Sequence, residues 1–223
     1  MSIGPVDVDW IVDNLDRIGG LVIEHLYLTG IAMAIGLVIS AALALLIRDR
    51  PRWYGPIIGF TGTLYAIPSL ALFALLTPLT GIGTVLTAEI ALVSYTLLIL
   101  TRNMVEGLRA VPAEAIEAAR GMGYTATQRL LRVELPLALP IILAGIRIAT
   151  VTTIGLVTVT ALIGLGGLGY LIVTIGTQRG SFGLTATLTG VVLAVGLAVI
   201  ADLALMALQR ALTPWSRERT AAA

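Results

Sequence analysis

The sequence predicts an all-α integral membrane protein with about five transmembrane helices. The 223-residue chain is 57% hydrophobic and only 12% charged, and its mean hydropathy is +0.98. A soluble domain cannot hide that much apolar surface, and several stretches approach or exceed the roughly 20 apolar residues that cross a bilayer. We therefore expect a multi-pass protein of the plasma (inner) membrane.

Five apolar stretches are long enough to be spans, and short charged or turn-forming segments separate them. Residues 48–52 hold three arginines between the first two stretches, and an uncharged turn at 77–81 follows the second. The predicted spans are Leu21–Ile47, Tyr54–Leu76, Gly83–Leu100, Leu135–Ile163 and Leu184–Leu208.

The arginines predict the orientation of these spans. Eleven of the 14 fall in the 48–52 loop, the 102–134 loop and the tail after Gln209, whereas the opposite side holds only Arg17 and Arg179. Positive charge marks the cytoplasmic side, so we expect the N-terminus outside and the C-terminus inside. Residues 1–20 are then an extracytoplasmic segment, 21–212 the transmembrane domain and 213–223 a cytoplasmic tail.

The composition also excludes several kinds of site. The chain has no cysteine, so disulfides and thiolate chemistry are absent. The chain has no lysine, because all 14 of its Lys and Arg residues are arginines. The phosphate-binding loop of a P-loop ATPase needs a lysine, so this chain is not such an ATPase. A lone histidine, His25, does not make a metal site, which needs several convergent ligands. We expect no metal and no cofactor on this chain.

Two segments near the predicted outer face are shorter than a span. Trp10, Ile11, Leu15 and Ile18 are spaced to form the apolar side of a short surface helix. Residues 164–182 contain an apolar run too short to cross, which predicts a short surface or re-entrant helix. Its G-x-G-x-x-G lacks the strand and the correctly spaced acid of a dinucleotide site. We expect these glycines instead to let helices approach closely or to form a gate at the outer mouth.

The most informative segment is the polar loop 102–134, which carries five arginines between apolar stretches. Pro112 suits the first turn of a helix, and Gly121 and Gly123 permit a reversal at its end. Thr125 and Gln128 have capping-box spacing and predict a second helix. A connector needs only a few residues, so a loop of this length is expected to be functional.

The loop resembles the EAA loop of bacterial ABC importer permeases. The family pattern is Glu-Ala-Ala, three residues, Gly, nine residues, Ile, one residue, Leu-Pro. Here it is matched by Glu117, Ala118, Ala119, Gly123, Val133, Leu135 and Pro136, and Val133 in place of Ile is the only departure.

The resemblance implies a role for each matched position. It implies the type I (MetI-like) permease fold and a helix that docks into a cleft on a separate ATPase, which binds ATP and Mg²⁺. Glu117, Ala118 and Ala119 are then contact positions, with Gly121 and Gly123 at the bend. Leu135 and Pro136 anchor the return to the membrane.

Other segments resemble the osmoprotectant branch of that family. They are Glu24–Leu28, Ile67–Leu72, Leu135–Pro140 and Ile163–Gly169, and the similarity covers about residues 21–210. The resemblance implies import of glycine betaine, carnitine, choline or proline betaine. The implied partners are two ATPase copies, a second permease subunit (identical or related), an extracytoplasmic substrate-binding protein and the lipid bilayer. Methionine-type and other amino-acid permeases are the nearest alternatives, and nothing indicates nucleic-acid binding.

Several polar residues within the spans are candidates for a translocation path. Arg147 lies about 16 Å past Pro136, near the midplane, where a charge must be paired or face water. It either lines the path or forms an ion pair with Glu89 or Asp202, and the ion pair is favoured. Thr63, Tyr65 and Ser69 flank Pro68, where a packing kink and a polar path are equally compatible with the sequence.

Three rival functions remain. A stand-alone secondary transporter predicts an internal repeat, which the sequence does not show clearly. An intramembrane enzyme predicts a nucleophile with its base or clustered metal ligands, which the composition disfavours. A structural membrane subunit would bind an ATPase without moving a solute.

Overall fold

The computed structural model describes residues 6–177 and 181–215, and within these ranges the chain forms helices and turns but no strand. A 3-10 turn at Pro51–Trp53 precedes α3, and another at Thr158–Ile163 follows α8. The helices are α1 (Val8–Asp13), α2 (Leu15–Asp49), α3 (Tyr54–Ala66), α4 (Ser69–Thr80), α5 (Val85–Arg109), α6 (Ala113–Gly121), α7 (Ala126–Arg129), α8 (Leu135–Val157) and α9 (Ser181–Leu212).

Four continuous helical segments are long and apolar enough to cross a membrane. They are Leu15–Asp49, Val85–Arg109, Ala126–Ile163 and Phe182–Leu212, and a bent pair formed by α3 and α4 is the fifth candidate. These confirm the predicted number of spans. The helix that contains the third predicted span continues past Leu100 to Arg109, because Thr101, Met104 and Val105 are buried and extend the packed face of α5.

The second predicted span is not one straight helix. α3 ends at Ala66, and α4 begins at Ser69 after a bend of 95°. Pro68 has no N–H and disfavours helical geometry at the preceding Ile67, which is extended with φ −66° and ψ 128°. The Tyr95 hydroxyl donates a hydrogen bond to the Ile67 carbonyl, so α5 satisfies a group that the break leaves open.

The core forms where α5 packs between α2 and α8. Leu28 and Ala32 of α2, Leu92 of α5 and Val157 of α8 are all almost completely buried in one apolar cluster. A glycine in α8 allows a close approach to α5, because a Cβ added at Gly145 would lie 2.3 Å from the Asn103 Cβ. Small residues are a common means of helix contact in membranes, where apolar burial alone does not drive association.

The loop Gly164–Gly169, at one end of the bundle, donates hydrogen bonds to α2. The amides of Gly166 and Gly167 donate to the Glu24 carboxylate at 3.2 and 3.1 Å. The Leu168 amide donates to His25 Nδ1 at 3.2 Å, and His25 Nε2 lies 3.0 Å from the Ile154 carbonyl. His25 is therefore neutral with its proton on Nε2, because Nδ1 accepts and a carbonyl cannot donate. The G-x-G-x-x-G holds a carboxylate of its own chain.

The short helix predicted within 164–182 is confirmed as a single π-helical turn, Tyr170–Ile175. Its Leu171 is fully buried, together with Leu168, in a cluster shared with α2 and α9. Gln178, Arg179 and Gly180 lie outside the described residues.

The N-terminal segment packs at the same end. Trp10 and Ile11 contact the cluster that contains Ile18, as expected for one apolar side, but Leu15 is 56% exposed and does not belong to it. The first long helix begins at Leu15 and not at Leu21, so residues 15–20 are part of it. Of the predicted tail, residues 216–223, with Arg217 and Arg219, lie outside the described residues.

We predict that two glycines of α8 differ sharply in tolerance to alanine. Gly145→Ala should lower the free energy of unfolding by about 1–3 kcal/mol, because the added methyl meets Asn103. Gly155→Ala should be neutral or stabilising by about 0.5–1 kcal/mol, because no neighbouring atom from another part of the chain lies within 4 Å of the added Cβ. Thermal unfolding of the purified variants in detergent measures the difference, and equal melting temperatures would contradict the close packing of α5 and α8.

Candidate functional site

Helix α6 presents one side to the protein and the other to its surroundings. Val111 and Ala119 are buried, at 7% and 1% exposure, and fix the helix against the bundle. Glu114, Glu117 and Ala118 are exposed on the opposite side. Two of the three predicted Glu-Ala-Ala contact positions are thus accessible to a partner, whereas Ala119 packs within its own chain.

Gly123 reverses the chain at the end of α6. Its φ of +80° is left-handed, and its amide donates to the Arg120 carbonyl at 2.9 Å. The Tyr124 amide donates to the Ala119 carbonyl at 3.1 Å, which completes a Schellman motif. The prediction of a glycine bend is confirmed for Gly123 but is wrong for Gly121, which is the last residue of α6 and has no positive φ.

The second predicted helix begins as expected and then runs directly into the fourth span. Thr125 and Gln128 form a capping box: the Gln128 amide donates to the Thr125 hydroxyl at 3.3 Å, and the Thr125 amide donates to the Gln128 side chain at 2.9 Å. A π-helical turn, Leu130–Glu134, joins α7 to α8. Such a turn inserts a residue into the helix and often occurs at functional sites.

The last matched positions lie at this junction. Val133 is half-buried within the π-helical turn, and Leu135 and Pro136 are the first two residues of α8. Pro136 has no N–H to donate, and it lies just after the π-helical turn, where the regular hydrogen-bond pattern of the continuous segment Ala126–Ile163 is already interrupted. Leu135 remains 37% exposed.

The π-helical turn carries Glu134, whose carboxylate binds two arginines. Arg48 at the end of α2 donates from Nε to Oε2 at 2.6 Å and from Nη2 to Oε1 at 2.9 Å. Arg129 of α7 donates from Nε to Oε1 at 2.7 Å. The Glu134 side chain is only 6% exposed, so these charge-assisted bonds replace its water. We call this group the Glu134 clamp.

Sequence reasoning missed the Glu134 clamp. Glu134 occupies the variable position between Val133 and Leu135 of the matched pattern, so the pattern itself gave no signal. The available signal was its charge: it is the one acid between Glu117 and Asp202, and it lies next to Arg132 in a strongly basic stretch.

One part of the exposed surface of this loop consists mainly of small or apolar residues. Glu117 and Ala118 on α6 are joined by Gly121, Gly123 and Met122, whose side chain is 66% exposed. Small side chains allow the close approach of another backbone, and methionine adapts its shape to a partner. The arrangement is suited to contact with another protein.

Three of the residues considered for a path lie around the break between α3 and α4. Thr63 and Tyr65 are exposed on α3, and Ser69 is the first residue of α4. The Tyr65 ring meets the Tyr95 ring edge-on, with 5.8 Å between centroids. The break itself is an observed feature, and the role of these side chains in transport stays a prediction.

The three charged residues predicted to lie within the membrane do not all meet: Arg147 pairs with Asp202, and Glu89 is not part of this pair. Arg147 forms two bonds of 2.9 Å with the Asp202 carboxylate and a weaker contact of 3.4 Å with Gln209. Gln209 in turn donates to the Pro140 carbonyl at 3.0 Å, so this group fastens α9 to α8. Glu89 is 7% exposed, and neither of its oxygens has a hydrogen-bond partner among the described residues. The ion pair of Arg147 is therefore with Asp202.

Comparison with known proteins identifies the family. Residues 32–217 match the model of the binding-protein-dependent transport system inner membrane component. The chain is 38% identical over 213 residues to the osmoprotectant import permease protein OsmW of Salmonella typhimurium, covering 93% of this chain and 97% of that protein. It is 35% identical to the glycine betaine/carnitine/choline transport system permease protein OpuCB of Bacillus subtilis, covering 86% of each.

A solved structure agrees with this comparison. A chain of the inward-facing MetNI methionine ABC transporter superposes with a TM-score of 0.76 at 28% identity, covering 88% of this chain and 96% of that one. The spans, the loop and the relatives agree: the chain is a multi-pass membrane protein that belongs to the family of inner membrane components of binding-protein-dependent transport systems, with the fold of ABC importer permeases.

Proposed function

We propose that the chain is the permease subunit of an ATP-driven importer for osmoprotectants such as glycine betaine, choline or carnitine. The observation that carries this proposal is the 38% identity to an osmoprotectant import permease across nearly the whole of both chains. The chain itself is a transport subunit without catalytic activity, and a separate ATPase binds and hydrolyses ATP with Mg²⁺.

The substrate class follows from the relatives. The proteins named for osmoprotectant, glycine betaine, choline or carnitine transport are 33–38% identical to this chain. The methionine transporter chain is 28% identical, so a methionine-type permease is the second candidate. A separate binding protein outside the membrane delivers the solute and sets most of the selectivity.

Coupling uses the exposed side of α6. In this proposal the basic end of the bundle faces the cytoplasm, the N-terminus lies outside, and α6 docks into a cleft of the ATPase. Glu117 accepts a hydrogen bond from a neutral or cationic donor of the ATPase, and Ala118 and Met122 allow close contact. The Glu134 clamp then transmits a displacement of this loop to α2 and α8.

Transport is a population shift between two conformations. ATP binding closes two ATPase subunits and brings two α6 helices together, so the cavity opens outward to the loaded binding protein. Hydrolysis resets the inward-facing state. The ATPase supplies the free-energy difference, since it binds one conformation better than the other. Five spans are too few to enclose a path, so a second permease subunit, identical or related, completes it.

The direct test is uptake into vesicles. The chain, its ATPase and its binding protein are reconstituted together, and uptake of radiolabelled glycine betaine, choline and carnitine is followed with and without ATP. We expect ATP-dependent accumulation that requires all components. Uptake without ATP would indicate a secondary transporter, and ATP-dependent uptake of methionine alone would favour the second candidate. ATPase binding without uptake of any solute would indicate a structural subunit.

Reversing the charge at Glu117 should uncouple the importer. Glu117→Arg places a cation on the exposed face of α6, and we expect loss of uptake and of ATPase co-purification with unchanged membrane insertion. Asp16→Arg is the matched control, since it reverses another exposed carboxylate at the far end of α2 and should retain the ATPase. Normal co-purification of Glu117→Arg would contradict the docking role.

The two loop glycines should also behave differently. Gly123→Ala forces a side chain into the left-handed region at a cost of about 1–2 kcal/mol, so the exit from α6 shifts and uptake falls. Gly121→Ala keeps helical geometry and has open space around the added Cβ within this chain, so uptake should fall less than in Gly123→Ala. Initial uptake rates of the two variants are measured in the same vesicles. Equal losses of uptake would mean that the left-handed bend at Gly123 is not the cause of the loss.

A further inference from the structure

A basic cavity lies beneath the coupling loop and is not accounted for by coupling. Its volume is about 310 Å³, and it lies between the ends of α2 and α5 and the inner side of α6. Its charged lining consists of Arg48, Arg109, Arg120, Arg129, Asp49 and Glu134. Four guanidinium groups against two carboxylates leave an excess of positive charge, which favours an anion.

The excess charge is on two arginines. Arg48 and Arg129 both bind Glu134, and Arg48 also pairs with Asp49 at 2.9 Å, so two carboxylates compensate these two charges. Arg109 stacks on the Tyr54 ring at 4.0 Å and lies 3.7 Å from Glu106, an exposed and therefore weak pair. The Arg120 guanidinium makes no hydrogen bond or ion pair with any described residue. Two cations thus remain available to a ligand.

An apolar groove of about 220 Å³ adjoins this cavity. The two share Ala44 of α2 and Leu108 of α5 in their walls, and the groove is lined by apolar side chains only. Leu45, Leu131 and Leu135 form its open side, with 40%, 57% and 37% of their surfaces exposed. A ligand that fills both must therefore carry an anionic head and a hydrocarbon chain.

The position along the helices fits the surface of the bilayer. Arg50 and Arg52 are exposed beside the cavity-lining Pro51, and Trp53 next to them is 40% exposed. Tryptophan and tyrosine are enriched at the membrane–water interface, and basic pockets between helices at this level bind anionic headgroups.

We propose that the cavity and groove together bind one anionic phospholipid. Its phosphate is held by Arg109 and Arg120, and one acyl chain lies in the groove against Leu45 and Leu131. The other candidate occupant, an acidic segment of the ATPase, would not use the hydrocarbon groove. The site is independent of which solute the importer carries.

Spin-labelled lipids test this proposal on the purified full-length chain in phosphatidylcholine vesicles. The relative affinity of phosphatidylglycerol over phosphatidylcholine is measured from the immobilised spectral component in about 0.1 M and about 1 M salt. The variant R109Q/R120Q should lose roughly fivefold in relative affinity per arginine. The control R50Q/R52Q removes two exposed arginines of the same region, and its loss should vanish in high salt, where the screening length is about 3 Å.

The groove is tested separately. Leu45→Ser combined with Leu131→Ser should reduce the immobilised fraction of phosphatidylglycerol labelled along the acyl chain, while millimolar inorganic phosphate should not displace the lipid. The proposal would be overturned if the protein bound phosphatidylglycerol and phosphatidylcholine with equal affinity. It would also be overturned if R109Q/R120Q and R50Q/R52Q showed the same relative affinity in high salt. Complete displacement by phosphate would show a simple anion site, and complete displacement by added ATPase would assign the cavity to that protein.

Discussion

The Glu134 clamp is the interaction on which the geometry of the loop 102–134 depends. One carboxylate, almost without solvent contact, binds the end of α2 through Arg48 and the start of the α7–α8 helix through Arg129. Removing one partner of a buried ion pair costs about 3–5 kcal/mol, because the remaining charge stays desolvated. The clamp thus fixes the start of the α7–α8 helix, which follows the turn after α6, relative to the end of α2.

Features that depend on neighbouring residues were predictable from the sequence. The capping box needs only Thr125 and Gln128, and the chain reversal needs only a glycine after a helix. The span count followed from hydropathy in the same way, and Pro68 indicated the place of the break. Its angle of 95° did not follow, because it depends on how α4 and Tyr95 pack.

Features that join distant residues could not be predicted. Arg48 and Glu134 are 86 positions apart, and Glu24 and Gly166 are 142 apart, so no local pattern relates them. Depth in the membrane limited the partner of Arg147 to Glu89 or Asp202, but the rotation of each helix decides between them. Ala119 illustrates the same limit, since the family pattern identifies the position and only packing shows that it points inward.

The hydrogen bonds that the Gly166 and Gly167 amides donate to Glu24 have a consequence for how the bundle can move. α2 is bonded near its start to the loop that follows α8 and at its end to the turn that precedes α8. Sliding one of these helices along the other would break bonds at both extremities simultaneously. We therefore expect the two helices to tilt together as one rigid unit. Internal rearrangement within one subunit is then expected in segments outside this unit, such as α3 and α4 with the break at Pro68.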